Sequence, residues 1–253
     1  MAESALVKVR RDGPVATVTL NRAAKRNALS TAMITDLRET VAALSGEGAL
    51  RAVILDGAGP SFCAGADVAE MATLDQTSAE AFIRGLHHAI EAVRDCPVPV
   101  IASIRGACLG AGLELAAGCD LRLAAADARF AMPEVLVGIP SVIEAALLPG
   151  LIGRGRTARL LLTGETIDAA TADRWGLVEE VVDGEILNTR ARALAEVIAA
   201  ADPLAVRAQK ALIRRWEALP LAEAIAAGVR PFADSYRTDA PRARMMAALE
   251  RKG

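Results

Sequence analysis

The sequence has little aromatic content. Its 253 residues include four Phe, two Trp and one Tyr, 3% in all. Histidine is limited to His87 and His88, and cysteine to Cys63, Cys96, Cys108 and Cys119. Neither sign of charge is in surplus: 29 basic residues meet 31 acidic ones, for a formal net charge of −2. Each shortage excludes something. Nucleic-acid binding calls for a basic surface and stacking platforms, and neither is encoded. Low hydrophobicity with high net charge, the mark of disorder, is missing. No apolar run reaches the ~18 residues of a membrane span. The opening Met1-Ala2-Glu3-Ser4 lacks a basic start and an apolar stretch, so no secretory signal is expected. The cysteines form no CxxC pair and none sits beside a histidine, which argues against a metal site. They read as small buried apolar residues in a reducing cytoplasm.

What is present is apolar and small. The hydrophobic fraction is 53%, and 55 residues are alanine. The length fits one large domain, or a domain with an appendage. Val7 and Val9, the turn Asp12-Gly13-Pro14 and the β-rich run 15–20 predict a hairpin. Ser30 reads as an N-cap, followed by Met33, Ile34, Leu37, Val41 and Leu44 at helical spacing. Residues 52–55 read as a short buried strand. A second helix is expected from Thr77, with Glu80 completing a capping box and Phe82, Leu86, Ile90 and Val93 on one face. Pro97 and Pro99 end it before a strand at 100–104. A glycine-rich turn, a short helix at 110–118 and a strand at 121–123 follow. This alternation predicts an α/β fold with parallel pairing. Beyond about 185 only helices are expected, and the division is set at 1–190 for the core and 191–253 for a helical region.

Two glycine patterns read as ordinary turns. Gly57-Ala58-Gly59 runs into Pro60 rather than a helix, and Gly153-Arg154-Gly155 follows too short a run for a strand, so neither makes a dinucleotide fingerprint. GxSxG and GxxxxGK[ST] are absent. Three other segments can carry chemistry. Phe62-Cys63-Ala64-Gly65-Ala66-Asp67 puts small residues just after a strand, either as a tight turn or as a place where a ligand meets backbone N–H groups. Residues 106–116 lead from glycines into a helix whose first turn holds Glu114 among Leu113, Leu115 and Ala116. That carboxylate either faces water, favoured by the helix dipole, or is partly buried with work to do. Glu134 stands among apolar residues between Pro133 and Pro140, in loop-like sequence.

These segments, taken in order, resemble the enoyl-CoA hydratase/isomerase, or crotonase, superfamily. The resemblance runs from Asn21-Arg22 and Asn27-Ala28-Leu29 through the 62–67 and 110–116 segments. It continues with Cys119-Asp120, Pro133-Glu134 and Gly138, and closes with Leu162-Thr163-Gly164-Glu165 and Trp175-Gly176-Leu177-Val178. It implies a spiral of repeated ββα units with a C-terminal helical region used in trimer assembly. It implies a homotrimer or dimer of trimers, acting on acyl-CoA thioesters with no cofactor beyond the CoA of the substrate. By the same resemblance, the backbone N–H groups of Ala66 and Ala111 form an oxyanion hole. Many relatives have glycine where Ala111 stands, and the role survives if the Ala111 φ is negative.

Glu114 and Glu134 match the two catalytic glutamates of hydratases. The implied reaction is syn addition of water to a trans-2-enoyl-CoA, with Glu114 as base and Glu134 as acid. An isomerase of the family works with the Glu134 position alone. CoA is expected near Ala64, Asp67 and Val68. Lys25 and Arg26 are either phosphate contacts or solvated loop charges. Gly112, Pro140, Ser141 and Val142 are expected to border the acyl pocket. There the sequence departs from the family, because Ser141-Val142-Ile143-Glu144 replaces a glycine-rich stretch. That change signals either a pocket for a short or functionalised acyl group or a differently packed helix start. A non-catalytic binding protein on this frame is the remaining alternative, and the balanced charge argues against RNA as its partner.

Overall fold

The computed structural model describes residues 5–250. Residues 1–4, read above for a targeting signal, and 251–253 lie outside the described residues.

Strands β1 (Val7–Asp12) and β2 (Val15–Leu20) form the expected antiparallel hairpin. Its turn relies on Gly13 at a φ of +59°. Helix α1 (Thr31–Ser45) starts where Ser30 accepts a hydrogen bond from the Met33 N–H. Its buried residues are the five read from helical spacing, Met33, Ile34, Leu37, Val41 and Leu44. Strand β3 (Ala52–Gly57) and the short helix α2 (Val68–Met71) follow.

Helix α3 (Gln76–Asp95) corrects the expected start. Asp75 is the N-cap and Ser78 completes the capping box, so the motif begins two residues before Thr77. Asp75 outcompetes Thr77 because its carboxylate reaches the Ser78 N–H while the Ser78 hydroxyl takes the Asp75 N–H. Glu80 instead pairs with Arg84 one turn on.

The central part runs β4 (Val100–Ile104), β5 (Ala107–Leu109), α4 (Ala111–Ala117), β6 (Leu121–Ala125) and β7 (Arg129–Ala131). Two 3-10 turns, Glu134–Val137 and Ile143–Leu147, lead into α5 (Leu148–Ile152) and α6 (Arg154–Thr163). Then come β8 (Thr166–Asp168), α7 (Ala169–Trp175) and β9 (Glu180–Val182). The rest is helical: α8 (Leu187–Ala200), α9 (Pro203–Ala218), α10 (Leu221–Ala227), α11 (Val229–Ser235) and α12 (Ala240–Glu250). Gly228 separates α10 from α11.

The larger sheet has the order β1-β2-β3-β4-β6-β9, parallel throughout except for the hairpin. The smaller sheet has the order β5-β7-β8. The chain passes from a strand of the large sheet to one of the small sheet: β4 to β5 before α4, and β6 to β7. A bridge between Cys63 and Cys108 continues the pattern after β3. This is the expected ββα repetition.

The main core lies between the large sheet, α1, α3 and α4. A second cluster covers the other face of the sheet, where Leu187, Ala191 and Ala195 of α8 pack on Val15, Ile54, Ile101 and Leu123. Position 190 falls inside this helix. The buried Lys210 ties α9 to the core through the Val98 carbonyl at 3.0 Å and Asp120 at 2.6 Å. All four cysteines are buried and free. Among the described residues, no helix is long and apolar enough to cross a membrane.

Candidate active site

Two turns meet at one end of the large sheet. The Cys63 N–H donates to the Ala107 carbonyl at 2.9 Å, and the Leu109 N–H donates to the Cys63 carbonyl at 3.0 Å. These bonds hold the 63–67 turn against β5 and the start of α4. Gly65 makes the approach possible. Its φ is +100°, and a Cβ there would lie 2.9 Å from the Leu109 carbonyl oxygen and 3.7 Å from the Ala111 nitrogen. Gly112 is packed as closely, since a Cβ would stand 2.4 Å from the Cys63 oxygen.

The N–H groups of Ala66 and Ala111 therefore belong to adjoining turns. Ala111 opens α4, so its N–H has no acceptor within the helix. The pairing of Leu29 with the 65–67 turn uses the Gly65 carbonyl and the Asp67 N–H, which leaves the Ala66 N–H outside it. The described non-glycine residues with positive φ are Arg26, Asn27 and Ile143. Ala111 thus keeps an ordinary backbone despite its neighbour Gly110 at φ +51°.

Glu114 is in the first turn of α4 and is 4% exposed. The Ala145 N–H donates to its Oε1 at 3.2 Å. Burial, reinforced by the charges of Glu134 and then Glu144, pushes this carboxyl from its ordinary 4.5 up to about 8. Of the two readings left open by the sequence, the buried one is correct. Glu134 opens its 3-10 turn and is half-buried. Its Oε2 accepts from the Ser141 hydroxyl at 2.8 Å. Its Oε1 occupies space that a Gly110 side chain would need. Glu114 in turn donates its N–H to the Gly110 carbonyl at 3.0 Å. The charge of Glu134 acts on Glu114, so the two carboxyl groups, 20 residues apart in sequence, are near each other in the fold. A buried carboxyl with a raised pKa and a second carboxyl held by Ser141 thus accompany the N–H groups of Ala66 and Ala111 on the adjoining turns. Such an arrangement can give one proton and take another at adjacent atoms of a molecule whose carbonyl oxygen rests on the N–H groups.

The residues expected around CoA lie on two segments joined by a backbone hydrogen bond. Lys25 ends the 3-10 turn Ala23–Lys25, and Arg26 follows in a left-handed conformation. Both are exposed, and the Arg26 carbonyl accepts from the Ala64 N–H at 2.9 Å. Val68 is exposed. Asp67 is committed structurally: its carboxylate caps α2 and pairs with Arg22 at 2.5 Å. The Arg22 hydrogen bond holds that carboxyl below its ordinary value. Of the expected acyl-pocket residues, Ser141 touches Glu134, Gly112 is buried against Cys63, and Pro140 and Val142 are exposed on the intervening loop.

Sequence reasoning gave no role to three residues. Asn27 is fully buried, and its Nδ2 faces the carbonyls of Ala58, Ser61 and Phe62 at 2.8–3.1 Å. Its Oδ1 accepts from the Arg22 N–H. It shapes the 58–62 turn, and its only sequence signal is a polar residue in a left-handed position that Asn tolerates. His87 and Glu144 form a 2.7 Å pair. No local signal joins them, because they stand 57 positions apart. The stretch 141–144 leads into the 3-10 turn Ile143–Leu147.

A model of the enoyl-CoA hydratase/isomerase family matches residues 10–253. The short-chain-enoyl-CoA hydratase of Clostridium acetobutylicum is 34% identical over 249 residues, covering 97% of this chain and 95% of that one. The (E)-benzylidenesuccinyl-CoA hydratase of Thauera aromatica is 37% identical over 213 residues, 83% of each chain. The crystal structure of an enoyl-CoA hydratase from Mycobacterium smegmatis superposes with a TM-score of 0.94 at 34% identity, over 97% of this chain and 96% of that one. The fold is that of the crotonases, and the chain belongs to the enoyl-CoA hydratase/isomerase family.

Proposed function

We propose that this protein is an enoyl-CoA hydratase, a lyase that adds water syn across a trans-2-enoyl-CoA and also catalyses the reverse elimination. The observation that supports the reading is the buried carboxyl of Glu114 on the helix that Ala111 opens, raised by burial and by the nearby charge of Glu134. The thioester oxygen rests on those two N–H groups, which stabilise the enolate charge and make Cβ electrophilic. In hydration Glu114 takes the proton from water and Glu134 delivers one to Cα. Elimination runs the same steps backwards. Glu134 takes the Cα proton, and Glu114 protonates the departing hydroxyl. The raised Glu114 carboxyl favours its proton-bearing form, the form that elimination draws on.

The CoA part lies along Ala64, Asp67 and Val68, with Lys25 and Arg26 in reach of its phosphates. The acyl part lies towards Gly112, Pro140, Ser141 and Val142. Bulky Val142 and Ile143 with Glu144 favour a short or functionalised acyl group. The named substrates of the Clostridium and Thauera relatives, one short-chain and one functionalised, support that choice. No cofactor is required beyond the CoA of the substrate. Exposed Leu221, Ile225, Val229, Phe232, Met246 and Leu249 on the terminal helices support a homotrimer or a dimer of trimers. The four free buried thiols support a cytoplasmic setting.

The test is incubation with crotonyl-CoA, following loss of the conjugated enoyl absorbance. Glu114→Gln and Glu134→Gln should each lower the rate ~10²–10⁴-fold. Wild-type rates in both variants would overturn the site. Conjugation of a 3-enoyl-CoA without hydration would make the protein a Δ3,Δ2-enoyl-CoA isomerase acting through Glu134. Salt-dependent RNA retention with no acyl-CoA turnover would make it a binding protein.

A further inference from the structure

The direction of the Ala66 N–H is set by how its turn lies against residues 27–29. Leu29 and Ala66 form an isolated parallel bridge. The Leu29 N–H donates to the Gly65 carbonyl at 2.8 Å, and the Asp67 N–H donates to the Leu29 carbonyl at 2.9 Å. In a parallel pair, the residue between two such bonds turns its own N–H to the opposite side. A slip of one residue in either direction would turn the Ala66 N–H towards residues 27–29, and those of Gly65 and Asp67 away. The register of one bridge therefore decides which N–H the turn offers to the site.

Ala64, Gly65 and Ala66 are too small to set that register by packing, and glycine-bearing segments specify it weakly. A side chain supplies what they lack. Nη1 of Arg22 donates to the Ala28 carbonyl at 3.1 Å and to Asp67 Oδ2 at 2.5 Å. Ala28 precedes Leu29 and Asp67 follows Ala66, so one nitrogen spans the bridge. Both ends of this contact are fixed. The Arg22 N–H donates to Asn27 Oδ1 at 2.9 Å. Asp67 Oδ1 accepts from the N–H groups of Ala69 and Glu70 at 3.0 and 3.3 Å. Beyond them, Glu70 Oε2 accepts from the Thr31 N–H at 3.0 Å. Asp67 is buried and Arg22 half-buried, so salt screens the pair less than one on the open surface. A slip of one residue would carry Asp67 ~3.3 Å along the chain direction and break the contact.

We propose that Arg22, through Asp67, is a positioning residue that locks the register of the Leu29–Ala66 bridge and so keeps the Ala66 N–H turned towards the site. The inference rests on the hydratase reading for its catalytic consequence, though not for the register itself. Arginine suits the place because its guanidinium is always charged and brings several donors to one point. Arg22 acts on the reaction only through the backbone that it holds. Its loss displaces one of the two N–H groups that the thioester oxygen rests on, and leaves Glu114 and Glu134 in place.

The experiment compares the full-length protein with Arg22→Met, which keeps an apolar stem and removes every donor. Amide hydrogen exchange, read by mass spectrometry at single residues, should be slow at Leu29 and Asp67 in the parent and faster at both in the variant. The carbonyl stretch of bound butyryl-CoA, labelled with carbon-13 at the thioester, reads the site by infrared difference. Its lowering relative to the free thioester should shrink in the variant. The kcat for crotonyl-CoA hydration should fall ~10–10²-fold, with KM changed far less. Asp67→Asn keeps an oxygen for the α2 cap and removes the ion pair. It should move all three readouts the same way, and it decides the matter if Arg22→Met does not fold. Unchanged exchange in the folded variants overturns the proposal. Faster exchange with the infrared band and kcat unmoved also overturns it, because Arg22 would then be structural only. Faster exchange in a protein whose parent neither shifts the band nor hydrates any enoyl-CoA sustains the register lock and sinks the hydratase reading instead.

Discussion

Gly110 lacks a side chain where the Glu134 carboxylate sits: a Cβ at that position would lie 2.3 Å from Glu134 Oε1. The clash would be with the end of a flexible side chain rather than with backbone. Gly110→Ala should therefore fold, losing about 1–3 kcal/mol from the backbone at φ +51° and ψ −124°. Its enoyl-CoA hydration should nevertheless fall ~10²-fold, because the carboxylate is pushed off its position. Steady-state kinetics beside a thermal melt checks both halves. Full activity would mean that the position of Glu134 does not matter.

Glu114 makes stability depend on pH. Its carboxyl titrates near 4.5 when unfolded and near 8 when folded, so the native state holds the extra proton between these values. Nothing is lost below about pH 4.5. Stability declines as pH rises through the window and reaches its full deficit, on the order of a few kcal/mol, above about pH 8. Glu114→Gln removes this dependence. The Tm of the variant should gain on that of the parent from pH 5 to pH 9. Parallel Tm curves would show that the carboxyl titrates normally.

Asn27 is a clamp rather than a contact for substrate. Asn27→Ala leaves buried carbonyls of the 58–62 turn unsatisfied and should destabilise the protein by about 3 kcal/mol in urea unfolding. Asn27→Asp turns an acceptor towards the same carbonyls and should be at least as damaging. A change under 1 kcal/mol in both would assign the turn's stability elsewhere.

The exposed apolar residues of α10 and α11 predict an assembly. Sedimentation should give a species of three or six chains. A Leu221→Glu, Phe232→Glu double variant should shift it to smaller species. A monomeric parent would remove the proposed role of these helices.

Some of this architecture could be read directly from residue spacing, and some could not. The buried stripes of α1 and α3 follow apolar periodicity, because each is long and faces a single sheet. The strands β5, β7, β8 and β9 span three residues each, too few to establish a period, and exist through pairing with distant segments. The carboxyl at 114 was conspicuous among leucines. Its meeting with Glu134 depends on how two turns stack, and only the family resemblance anticipated it. The His87–Glu144 pair and the left-handed Ile143 were invisible, since neither follows from any neighbouring residue.

The cover that α8 lays over the second face of the large sheet also has a consequence during synthesis. Val15, Ile54, Ile101 and Leu123 emerge from the ribosome long before Leu187, Ala191 and Ala195 exist to pack on them. Seventy residues separate Ala125, at the end of β6, from Ala195. At ~5–20 residues per second, that apolar face stays bare for about 4 to 14 seconds. Through that interval the nascent chain is a natural client for a chaperone.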